Sequence, residues 1–83
     1  MNSYEERMKE ERLPKWAVAA RIGINRSRLD EWLSNGDQKQ EKIIEQAITY
    51  LSEHPDWRKT YIRYKEEVIN GTFEENHDIT FPS

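Results

Sequence analysis

Apolar and polar positions follow helical spacing over most of the chain, and the breaks fall at proline and glycine. In 3–12, Tyr4 and Met8 share one face of a charged stretch, and Ser3 with Glu6 forms a capping-box pattern. So short and polar a helix needs a surface to lie on. Residues 14–22 are the most apolar piece, with Trp16, Ala17, Val18, Ala19, Ala20 and Ile22 between Pro14, suited to a first helical turn, and Gly23. In 26–34, Leu29, Trp32 and Leu33 stand at i, i+3 and i+4, predicting an inward face. Asn25 is the candidate N-cap there and Asn35-Gly36 the stop. In 37–53, Ile43, Ile44, Ala47, Ile48 and Leu51 form a broad stripe after Asp37 as N-cap, ended by His54-Pro55. Residues 56–70 carry Trp57, Tyr61, Tyr64 and Val68 on one line, with Ile62 and Ile69 to its side, up to Gly71. Beyond that, Phe73, Ile79 and Phe81 show no period. No stretch alternates with period two as a strand requires. The predicted fold is all-α: a compact five-helix domain over 1–70, whose last helix serves packing or dimerisation, and an irregular acidic tail over 71–83.

Composition narrows the class. The chain has 83 residues, zero cysteines and a net charge of −3. Leu, Ile, Val and Phe make up 16 of the 83, just under the ~20% below which disorder is suspected. The small net charge and nine aromatics, three of them Trp, argue instead for a sparse folded domain. The length holds one domain. No apolar run nears the ~18 residues of a membrane span. The first six residues, Met1-Asn2-Ser3-Tyr4-Glu5-Glu6, do not read as a signal peptide. Without cysteine there is no disulfide framework and no thiolate zinc site. The expected compartment is the cytoplasm, with no membrane partner. Charge is uneven. Residues 14–36 carry +2, from Lys15, Arg21, Arg26 and Arg28 against Asp30 and Glu31, while 71–83 carry −3. Only the 14–36 piece is more than one unit positive.

That same piece carries the candidate function. Val18 and Ile22 lie on one face, Ala19 stands between them in sequence, Gly23 and Ile24 follow, and Leu29 and Trp32 face inward from the next helix. Two helices joined by a three- or four-residue turn at ~90–120° need such an arrangement. A small residue permits close approach, and glycine permits positive φ. The pattern resembles the DNA-binding helix-turn-helix of the phage lambda repressor and Cro family. The matching residues are Val18, Ala19, Ile22, Gly23, Ile24, Leu29 and Trp32, flanked by Leu13 and Asn35-Gly36. The resemblance covers roughly residues 4–52. One departure is Pro14, which stands where the family usually has a Ser or Thr cap.

The resemblance implies that 26–34 is a recognition helix whose N-terminal residues enter the major groove. Here those are Asn25, Arg26, Ser27 and Arg28. By resemblance Arg26 and Ser27 match base-reading positions, Glu31 matches another, and Lys15 sits where the family contacts phosphate. Arginine pairs bidentately with guanine, and glutamate accepts from cytosine N4. Arg28 is expected on phosphate rather than base. Asp30, four residues after Arg26, is an alternative partner for that arginine. Asn35, Gln38, Lys39 and Gln40 surround the start of the next helix as a second backbone clamp. The implied partner is double-stranded DNA, bound by a homodimer acting as a transcriptional regulator, a repressor from a phage or mobile element. So few basic residues give one protomer modest affinity. The expected dimer contact is Tyr50, Trp57, Tyr61, Tyr64 and Val68.

No catalytic residue, metal ligand set or cofactor is predicted. His54 and His77 are far apart, and no glycine-rich phosphate loop exists. The chain is expected not to be an enzyme. Two other readings fit the sequence. One is a helix-turn-helix scaffold used as a protein-interaction module, as in an antirepressor, an antitoxin or a phage-encoded inhibitor. The other is an excision or architectural factor of a mobile element.

Overall fold

The structure, a computed structural model, describes residues 3–75. Its elements are α1 (Ser3–Glu10), α2 (Lys15–Ile22), α3 (Arg26–Asn35), α4 (Gln38–Glu53), α5 (Trp57–Thr60), a 3-10 turn (Ile62–Tyr64) and α6 (Lys65–Asn70). The fold is all-α, and no strand occurs among the described residues. The expected tail residues 76–83, with His77, Ile79 and Phe81, lie outside the described residues.

Helix α2 is the centre. It touches α3, α4 and α6, and five of its eight residues, Ala17, Val18, Ala19, Ala20 and Ile22, are buried. Three small side chains let neighbouring helices come close; Val18 and Ile22 fill the space between. From α4, Ile44, Ala47, Ile48 and Leu51 join this core; from α3, Leu29 and Leu33; from α6, Val68. Trp32, expected inward with them, is half-buried at the core's margin.

The marginal α1 finds its surface on α4. Met8 is buried, and Arg7 Nη2 donates to Thr49 Oγ1 at 3.0 Å. The helix stops at Glu10 rather than Arg12 because Arg12 turns left-handed (φ 57°). Leu13 N–H then reaches Met8 O at 2.7 Å and Arg12 N–H reaches Lys9 O at 3.2 Å. This is the Schellman closure, and the burial of both Leu13 and Met8 supplies its apolar contact.

Residues 56–70 do not form the continuous helix predicted from their aromatic line. In a straight helix Trp57 and Val68 would lie about 16 Å apart along the axis, yet both belong to one small core. The chain bends instead. Tyr61 takes φ −96°, ψ −10°, in the bridge region, and a 3-10 turn carries the path to α6. Thr60, Tyr61, Ile62 and Tyr64 are poor helix formers, so the break costs little. Trp57 packs edge-on against Trp16 of α2, with centroids 5.9 Å apart.

Candidate nucleic-acid interface

Helices α2 and α3 are joined by 23–25. Gly23 sits at φ 94°, and its N–H and that of Ile24 both close on Ala19 O, at 2.8 and 3.0 Å. The buried Ile24 side chain seals the turn. Asn25 follows in extended conformation (φ −79°, ψ 159°), the backbone geometry of an N-cap. Its side chain does not cap. Only 7% of Asn25 is exposed, its Nδ2 donates to Phe73 O at 3.1 Å and to Glu75 Oε1 at 3.2 Å, and its Oδ1 is buried without a partner. Asn25, expected as a DNA contact, is therefore turned towards 72–75 and largely away from solvent.

The basic residues of the pair fare differently. Lys15 Nζ lies 2.9 Å from Asp30 Oδ1 and 3.2 Å from Glu5 Oε1. Chiefly through the Asp30 hydrogen bond, this holds its pKa above the ordinary lysine value despite partial desolvation. Asp30 thus pairs with Lys15, not with Arg26. Arg28 Nε donates to Glu75 Oε2 at 3.2 Å, and its Nη1 lies 3.6 Å from Glu31. The Glu75 hydrogen bond is the main reason its pKa rises. Arg21 turns inward, its guanidinium carbon 3.7 Å from the Tyr50 ring centroid and its Nη1 donating to Tyr61 Oη at 3.4 Å. Among the described residues, Arg26 alone of the four cations in 14–36 has no hydrogen bond or ion pair. It is exposed and borders an open depression of about 310 Å³ lined also by Pro14, Lys15, Trp16 and Asp30.

Ser27, Glu31, Asn35, Gln38 and Lys39 are exposed. Asp37 caps α4, accepting from Lys39 N and Gln40 N at 2.9 and 3.1 Å, and so fixes the backbone beside Lys39. Gln40 is half-buried, with Oε1 turned inward.

The expected dimer residues are largely spent inside the chain. Trp57 and Val68 are core. Tyr50 is stacked on His54 at 4.1 Å as well as on Arg21, Tyr61 accepts from Arg21, and Tyr64 packs edge-on to Phe73 at 5.5 Å. Ile62, 52% exposed, is the large apolar side chain left open on this face.

Glu5, Phe73 and Glu75 were not among the predicted site residues. Phe73 carried a local signal, an apolar residue two positions after Gly71. Glu5 and Glu75 carried none, because their partners are remote in sequence. Among the described residues no cluster of His, Cys, Asp or Glu is arranged to hold a metal, and no helix is long and apolar enough to cross a membrane. No protein-family model matches the chain, and no curated protein or solved structure resembles it significantly.

Proposed function

We propose that the chain is a sequence-specific double-stranded DNA-binding regulator that presents the N-terminal turn of α3 to the major groove. The observation that carries this reading is Arg26. A guanidinium at the first turn of a helix, exposed and without a hydrogen bond or ion pair among the described residues, is available for a bidentate contact with guanine O6 and N7. The close α2–α3 turn at Gly23 supports it, since such a turn lets one helix project while the other braces it. Ser27 and Glu31 are further base-facing candidates. Lys39 and Asn35, exposed at the α3–α4 junction, are phosphate-facing ones. Lys15 joins them by exchanging a carboxylate for a phosphate. Because a single protomer brings few free cations, the reading includes a homodimer on half-sites about one helical turn apart, with the face around Ile62 as its contact. Repression is the expected consequence of occupying such a site.

The test is selection of bound duplexes from a random pool at low salt. Enrichment of a two-fold-symmetric sequence with guanine at a fixed position in each half-site is expected. A pool that stays unenriched would count against DNA recognition.

A second reading, a protein-interaction module on the same scaffold, draws on the internal pairing of Lys15 and Arg28. With Glu5 and Glu75 added, the +2 of 14–36 is cancelled locally. That leaves little attraction for phosphate in the closed arrangement. An unenriched pool would favour this reading.

A further inference from the structure

The segment after α6 has a defined path. Gly71, at φ 79°, turns the chain, and Thr72 N–H and Phe73 N–H both close on Glu67 O, at 2.9 and 3.1 Å. Phe73 packs against the core beside Tyr64. From that anchor the chain crosses to the start of α3, where both oxygens of the Glu75 carboxylate are engaged, Oε1 by Asn25 Nδ2 and Oε2 by Arg28 Nε. A carboxylate is thereby held beside the first turn of a ten-residue helix whose N-cap side chain makes no capping bond. A helix start with open N–H groups, next to an arginine, is where an anion is favoured.

We propose that 72–75 is an autoinhibitory strap, in which the Glu75 carboxylate occupies the position at the start of α3 that a DNA phosphate would take. The inference rests on the DNA-binding reading above. Docked, the strap neutralises Arg28 and draws the Asn25 amide away from the helix end. For DNA to enter, Glu75 must give up Arg28 to phosphate. The ion pair is open on the Arg28 side, 47% exposed, and more enclosed on the Glu75 side, 19% exposed, so phosphate approaches it through Arg28. The strap moderates affinity without abolishing it.

The experiment measures affinity by fluorescence anisotropy on a labelled mixed-sequence duplex pool of about 20 base pairs, two helical turns, at low salt. Glu75→Gln keeps an acceptor for Asn25 and removes the charge that holds Arg28. It is expected to tighten binding about two- to fivefold, the range of an exposed ion pair. Glu74→Gln changes net charge equally but breaks no ion pair among the described residues, and is expected to move affinity less. In an Arg28→Ala background the Glu75→Gln gain should fall to that of Glu74→Gln, because the pair it releases no longer exists. Equal gains from the Glu74 and Glu75 variants, or a Glu75 gain undiminished without Arg28, overturn the strap. Weaker binding by Arg26→Ala with no effect of Glu75→Gln overturns the strap and leaves the DNA-binding reading standing. No binding by either wild type or Glu75→Gln overturns both.

Discussion

Arg12 occupies a left-handed backbone position that its Cβ makes costly. It is held there because the Schellman closure of α1 needs that turn, and because Leu13 must reach the core beside Met8. The side chain is exposed, so Arg12→Gly relieves the strain and disturbs no buried packing. We expect a gain of about 0.5–1 kcal/mol, the relief being offset in part by the greater freedom of glycine in the unfolded chain. A urea titration with unchanged slope and a higher midpoint would show it; an unchanged or lower midpoint would deny that Arg12 is strained. Gly23 is the complementary case, the same kind of closure with the residue it favours. In Asn25 the backbone and the side chain serve different ends. Its backbone is that of an N-cap, as its place before α3 suggests, but its amide is committed to Phe73 and Glu75.

At the scale of elements, stability depends on how each helix is ended. Asp37 gives α4 two charge-assisted hydrogen bonds at its start, and α4 supplies four buried core residues. Asp37→Ala should therefore cost about 1 kcal/mol, read as a lower midpoint in thermal or urea unfolding. No loss would mean that packing on α1, α2 and α3 holds the helix start without the cap. The stripe 43–51 and the signals at Asp37 and His54 are enough to place α4, because a long apolar period and two clear ends admit one solution. The line through Trp57, Tyr61, Tyr64 and Val68 is a weaker guide. It marks the face turned to the core, and three of its four residues pack there or at its edge as aromatics. It cannot show that the chain must bend at Tyr61 to bring both ends of the line to so small a core.

Taken whole, the molecule is held together by contacts across long sequence separations, and these are what the sequence pattern does not carry. Lys15 is the clearest. Through Glu5 and Asp30 it ties α1, α2 and α3 at one point. Its raised pKa means that the folded state holds this proton more tightly than the unfolded chain. The stabilisation is fully present below the ordinary lysine value and is lost as pH rises through the higher folded value. Tyr4, whose pKa is raised chiefly by burial and then by Glu41 and Glu45, acts in the same direction. Urea midpoints should thus hold steady from neutral pH to about pH 9 and fall towards about pH 11. Lys15→Gln should reduce that fall, and an identical fall in the variant would remove Lys15 from the account. The candidate interface is legible in the same uneven way. Gly23 and Leu29 follow from spacing, and Arg26 follows from the helix-turn-helix resemblance of 14–36. The fate of Lys15 and Arg28 does not, because their partners Glu5 and Glu75 arrive from the two ends of the described chain.

Base reading by Arg26 is decided by the affinities of wild type and Arg26→Ala for the selected duplex at one fixed low salt concentration. A loss of about 1–3 kcal/mol, roughly five- to 150-fold, is expected, with discrimination relaxed at one guanine of each half-site. Equal affinities for that duplex would contradict it.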